Sequence, residues 1–169
     1  MTGPSFDEYV RGRGTALVRF AQLLTADWGL AEDLVQEALV SAHPKWDRIT
    51  KMDHPDAYVR QTIVRKFLSW RRRLSSRERP SGFLADRPAP AVPDPSGRVL
   101  DRDTAWRLLA TLPRRQRAVL VLRYYEDLPD DEIGRVLGCA PSTVRVHAAR
   151  GMAALRPHVG GLSRAGGLP

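Results

Sequence analysis

Apolar residues recur every three or four positions through successive stretches of this chain, the period of helices that each bury one face. Phe6–Thr25 carries Leu17, Phe20, Ala21 and Leu24 on one side, after a short lead at Gly3 and Pro4 that is expected to fray. Trp28 and Gly29 are expected to break this helix. Leu30–Ala42 follows with Leu34, Val35, Ala38, Leu39 and Ala42 inward. Pro44–Pro55 reads as a loop. A helix then opens at Pro55 and runs to about Arg73, with Val59, Ile63, Phe67 and Trp70 as its core stripe.

The second half repeats the pattern with stronger punctuation. Asp103 can cap a helix holding Trp106, Leu109 and Leu112, Pro113 interrupts, and Arg114–Tyr125 turns Ala118, Val119 and Leu122 inward. Asp130–Leu137 is a short helix with Ile133, Val136 and Leu137 on one side. Gly138 ends it, since glycine takes the left-handed conformation without steric cost. Pro141 sits where a helix accepts proline, in its first turn, and opens a helix to Leu155 with Val144, Ala148, Met152 and Leu155 as the buried stripe. Helix, glycine, proline, helix is the punctuation of a helix-turn-helix.

Between these halves, Leu74–Arg102 has no helical period and holds Pro80, Pro88, Pro90, Pro93 and Pro95, so it reads as an extended linker. No stretch alternates as a strand would. The expected fold is all-α: two small helical domains joined by a proline-rich flexible linker, the second a helix-turn-helix. The expected bounds are 5–75 and 103–157, with 76–102 as linker and 158–169 as a disordered tail.

Composition narrows the function. The chain has 169 residues, 43% of them hydrophobic, enough for a real core. Its net charge of +8 and isoelectric point near 10.5 favour a polyanionic partner, most simply nucleic acid, with a membrane surface as the other candidate. No apolar run approaches the roughly 20 residues of a spanning helix, and no signal peptide opens the chain. The lone Cys139 excludes an internal disulfide or a cysteine-cluster metal site and fits a reducing compartment. His43, His54, His147 and His158 are scattered without metal-ligand spacing, and no glycine-rich phosphate loop follows a strand. No enzymatic activity, cofactor or metal is therefore expected. A recombinase with an appended helix-turn-helix would need a serine nucleophile on an α/β scaffold, and the N-terminal half offers only helices.

The placement of charge is more specific than its sum. Glu32, Asp33, Gln36 and Glu37 make an acidic face in a basic protein. Such a face is either ordinary solvated surface or a dock for a basic partner, and it would repel DNA. The helix after Pro55 is crowded instead with Arg60, Gln61, Arg65, Lys66, Ser69, Arg71, Arg72 and Arg73. Cations interleaved with Tyr58, Phe67 and Trp70 suit single-stranded nucleic acid, although Phe67 and Trp70 also fall on the core stripe. On the last helix, an angular step of about 100° per residue puts Ser142, Val146, Ala149, Arg150 and Ala153 opposite the core, with Arg145 at the edge. No acid occurs between Pro141 and Val159. Small residues flanked by arginine can approach a DNA major groove, arginine pairing with guanine or phosphate and valine or alanine touching thymine methyls.

Two DNA-facing helical domains on a proline-rich tether resemble the small bacterial sigma factors of the extracytoplasmic-function class, in wording closest to an actinobacterial sigma-E type. The resemblance covers Phe6 to Arg156. It rests on ADWGLAEDLVQEALVSAHPKWDRI, similar to the family's second region, and LPRRQRAVLVLRYYEDLPDDEIGRVLGCAPSTVRVHAAR, similar to its fourth.

The resemblance implies a cytoplasmic subunit that binds core RNA polymerase, recognises promoter DNA and directs initiation at a subset of genes. Asp33, Gln36 and Glu37 would dock on the clamp helices of the beta-prime subunit. Arg48, Lys51, His54, Arg60, Arg65, Lys66, Arg72 and Arg73 lie in the segment that would capture and melt the minus-ten element. Ser142, Thr143, Arg145, Val146, Ala149 and Arg150 would read the minus-thirty-five element, and that region would touch the beta flap. The tether would thread toward the polymerase's active-site and exit channels, and an anti-sigma protein is a further partner class.

The chain departs from the family pattern in three places. Arg65 follows Val64 where relatives carry asparagine, Ala140 replaces a capping serine, and His147 replaces a basic residue. The alternative function is a stand-alone transcriptional regulator, because STVRVHAARGMAAL also resembles the recognition helix of response-regulator effector domains.

Overall fold

The computed structural model describes residues 3–76 and 99–162, with side-chain surroundings for 3–70 and 105–158. Every regular element among them is helical, and the chain separates into two compact units, 1–103 and 104–169.

The first unit packs helices α1 (Phe6–Thr25), α2 (Trp28–Ala42) and α4 (Pro55–Ser76) against one another. A reciprocal cap starts α1: the Ser5 hydroxyl accepts from the Glu8 amide, and the Glu8 carboxylate accepts from the Ser5 amide at 2.8 Å. Ala26, at φ 54, ends α1, and the Asp27 carboxylate caps α2 by accepting from the Leu30 amide at 2.8 Å. The break therefore falls at Ala26–Asp27. Trp28 and Gly29, expected to be the breaker, form the first turn of α2 because Asp27 supplies the cap. The core contains Leu17, Phe20, Leu24, Leu34, Val35, Ala38, Val59, Ile63, Val64 and Phe67, while Leu39 and Trp70 are only half-buried.

The stretch expected as a loop, Pro44–Pro55, is partly helical. A 3₁₀ turn (His43–Lys45) leads into the short α3 (Trp46–Ile49). Trp46 explains why. Its ring is buried edge-on against Phe6, and its indole N–H donates to the Pro4 carbonyl at 3.0 Å. That bond also ties down the lead expected to fray. Below it the Tyr9 hydroxyl donates to Asp56 at 2.9 Å. Burial and this bond push the Tyr9 phenol above its ordinary range.

Helix α5 (Val99–Ala110), which leads into the second unit, begins well before Asp103, which lies inside the helix rather than capping it. Nothing between Val99 and Asp103 breaks a helix, so the expected linker 76–102 loses both ends to helix; residues 77–98 lie outside the described part. The buried Arg117 guanidinium donates to the carbonyls of Ala110 (2.7 Å) and Leu112 (3.1 Å), satisfying groups left open where α5 ends. Helix α6 (Arg114–Leu120) continues into a π-helical turn, Val121–Tyr125.

Helices α7 (Asp130–Leu137) and α8 (Pro141–Leu162) then make the helix-turn-helix, with Gly138 left-handed at φ 65 between them. Ala140 offers no side-chain cap, but its carbonyl accepts from the Thr143 and Val144 amides at 2.9 and 3.2 Å. The stripe on α8 differs from expectation. Val144 and Ala148 are buried, but Met152 is 40% exposed and Leu155 half-buried. Gly151 is the buried position, so close to α6 that an added Cβ would stand 3.0 Å from Leu120 Cδ1. α8 also runs to Leu162, into the tail expected to be disordered; Pro157 inside it removes one donor without ending the helix, and no glycine intervenes before Gly160.

Candidate functional site

On the first unit, α2 and α4 enclose an open groove of about 390 Å³ lined by Asp33, Gln36, Glu37, Val40, Ser41 and Lys66. All three expected docking residues line it. Asp33 and Gln36 are exposed and Glu37 is half-buried. The fourth residue of the acidic face, Glu32, accepts from the Trp28 indole N–H at 2.9 Å and does not line the groove. Two features were not singled out from the sequence. Val40, 73% exposed on the groove's rim, is a large apolar side chain one helical turn beyond Gln36, a spacing that could have placed it. Lys66 reaches across from α4 to put its ammonium 3.4 Å from the Glu37 carboxylate.

That contact divides the expected basic set. Arg48, Lys51, His54 and Arg65 are exposed. Lys66 faces the acidic groove instead. Arg60 is largely covered: its Nε lies 2.9 Å from Asp56 and its guanidinium 5.5 Å from the Phe20 ring centroid, so it serves the unit's own packing. Arg72 and Arg73 fall in the last turns of α4, and their side chains lie outside the described residues. Of the aromatics interleaved with these cations, Phe67 is buried and Tyr58 and Trp70 are half-buried.

On the second unit, Ser142, Thr143, Arg145, Val146, Ala149 and Arg150 are all exposed. They form a surface of short side chains between two arginines, as the angular reading requires. His147 points the other way. Its Nδ1 is buried without a partner, and burial, then Arg115 and Arg150, hold its pKa below the ordinary value. It belongs to the packing of α8, not to its outer face. No periodicity or motif singles out Asp130 at the start of α7: its carboxylate binds the Arg123 guanidinium and lies 3.8 Å from Arg145.

Among the described residues no three His, Cys, Asp or Glu side chains group to hold a metal. No described helix is long and apolar enough to cross a membrane. What the surfaces offer is recognition by charge and shape.

Known proteins share both halves. The family model for sigma-70 region 2 matches residues 10–77, and that for sigma-70 region 4 matches residues 102–155. The RNA polymerase sigma-E factor of Streptomyces avermitilis is 36% identical over 151 residues, covering 89% of this chain and 83% of the relative. The ECF RNA polymerase sigma factor ShbA of Streptomyces griseus is 33% identical over 132 residues, 74% of this chain and 69% of the relative. Among solved structures, the sigma factor RpoE of Bartonella quintana, determined in complex with the anti-sigma factor NepR, matches with a TM-score of 0.72 and 25% identity. The match covers 90% of this chain and 94% of that one.

Proposed function

This chain belongs to the sigma-70 family of RNA polymerase sigma factors, in the extracytoplasmic-function class, and directs transcription initiation; from that premise we propose how its two units share the work. The unit spanning 5–75 docks on the beta-prime clamp helices of core polymerase through Asp33, Gln36 and Glu37 and holds the minus-ten element with Arg48, Lys51, His54 and Arg65. The unit spanning 103–157 contacts the beta flap and, with Ser142, Thr143, Arg145, Val146, Ala149 and Arg150, contacts the minus-thirty-five element.

One observation carries this reading: the groove along α2 in the first unit and the outer face of α8 in the second have opposite charge. An acidic groove with an apolar rim repels phosphate and attracts a basic protein surface, whereas α8 offers arginines around residues small enough to enter a major groove. A stand-alone regulator would have no use for the groove. The protein works in the cytoplasm beside the polymerase and has no catalytic chemistry of its own. The anti-sigma factor bound to the Bartonella quintana relative supports a partner of the same class here, competing with polymerase.

The test is reconstitution. Purified protein added to core polymerase starts transcripts at a defined subset of promoters, and sequencing those transcripts gives the two elements. Absence of core binding at micromolar concentration sinks the proposal.

A further inference from the structure

Asp130 is the first residue of α7, half-buried, and holds two arginines with its two oxygens. Oδ1 accepts from the Arg123 guanidinium, with Nε at 3.1 Å and Nη2 closer still. Oδ2 lies 3.8 Å from Nη1 of Arg145, a residue 63% exposed on the outer face of α8. Arg123 is largely covered and joins Asp130 to the π-helical turn, so the carboxylate is anchored on one side and can orient the arginine on the other. Three successive elements, the π-helical turn, α7 and α8, meet at this one side chain.

The geometry points to Asp130 as a positioning residue that sets base specificity: by drawing Nη1 of Arg145 toward α7 it restrains the guanidinium and leaves Nε and Nη2 to fork onto a guanine edge. An exposed arginine without such a neighbour samples many rotamers and is equally useful against any phosphate. A restrained one presents two parallel donors in a fixed plane, the arrangement that O6 and N7 of guanine accept together. The acid has a second consequence. Its negative charge at the rim of the reading face weakens attachment to phosphate in general and so penalises non-specific duplex. Arg150, farther along α8, has no such neighbour among the ion pairs of the described residues and keeps the plain electrostatic role.

This inference rests on the reading of α8 as the helix that contacts the upstream promoter element. The experiment selects promoters from a library randomised over that element, using reconstituted holoenzyme carrying the wild-type chain, Asp130→Asn, Arg123→Gln or Arg145→Ala, with the melting of each free chain followed in parallel. The wild type is expected to prefer one base at one position by roughly 5- to 100-fold, the discrimination of a bidentate pair. Asp130→Asn should reduce that preference to about threefold or less at the same position, leave the others in place, and let unrelated duplex compete the promoter away more readily. Arg123→Gln should lower the melting point and, by loosening Asp130, weaken the preference at the same position less than Asp130→Asn does.

If Asp130→Asn retains the preference, or weakens every position equally, Asp130 is only a fastening between α7 and the turn and the inference falls. It also falls if Arg123→Gln weakens every position equally. If Arg145→Ala leaves every preference unchanged, the reading of this face fails instead, and the inference with it.

Discussion

Gly134 lies against the turn it leads into: a Cβ at this position would stand 2.6 Å from the Cys139 carbonyl oxygen, and the Cys139 amide donates to the Gly134 carbonyl at 3.0 Å. The turn between α7 and α8 can therefore close only over a residue without a side chain. Gly138, one turn later, is needed for a different reason, its φ of 65, and a Cβ there would meet nothing within 4 Å. The two glycines separate steric from conformational cost. Gly134→Ala should destabilise the second unit by about 1–3 kcal/mol and displace α8, because backbone must move. Gly138→Ala should cost about 1 kcal/mol and leave DNA reading intact. Thermal melts with promoter selection check both, and equal effects on selection would refute the distinction.

The acidic groove predicts a separable defect. Asp33→Arg with Glu37→Arg places two cations where Lys66 already stands. Affinity for core polymerase should fall about tenfold or more, since like charges across an interface cost several kcal/mol. Melting of the second unit should not change. A titration of labelled chain with core that gives the wild-type dissociation constant would remove the docking assignment.

Arg150→Ala should weaken promoter binding by holoenzyme by about 1–3 kcal/mol with little change in base preference, and reduce the salt slope by about one. A selected base lost at a single position would instead make Arg150 a base reader.

His147 predicts an acid-side loss of stability. Burial, then Arg115 and Arg150, hold its folded-state pKa below the ordinary value of 6.5, so the unfolded chain takes up the proton first. The stabilisation is present above pH 6.5 and is lost as pH falls below it. The melting point of the second unit should drop between pH 7.5 and 5 more steeply in the wild type than in His147→Gln. Parallel slopes would show that His147 contributes nothing to the change.

Much of this protein is decided along the chain itself. Helical period, the glycine at 138 and the proline at 141 are local properties of a few neighbouring residues, and they mark α1, α7, the start of α8 and the divide between the units without reference to packing. The segregation of acid onto α2 and of small residues and arginine onto α8 is equally local, because an angular step per residue assigns each position a direction. Asp27 capping α2, and helix running on at both ends of the proline-rich stretch, show where local reading slips: several residues near a boundary can act as the stop.

What only tertiary structure decided is where side chains end. Period placed Lys66 and Arg60 on a basic helix, but α2 and Asp56 stand beside them, so one reaches Glu37 and the other is drawn into the first unit's own packing. Period placed Met152 in the core, and the closeness of α6 put Gly151 there. Trp46 gained a partner in the carbonyl of Pro4, and Asp130 gained two arginines, one of them on another helix. A periodicity fixes a direction about one axis. A contact depends on the distance and angle between two axes and on the reach of long side chains, and these exist only once the helices have docked.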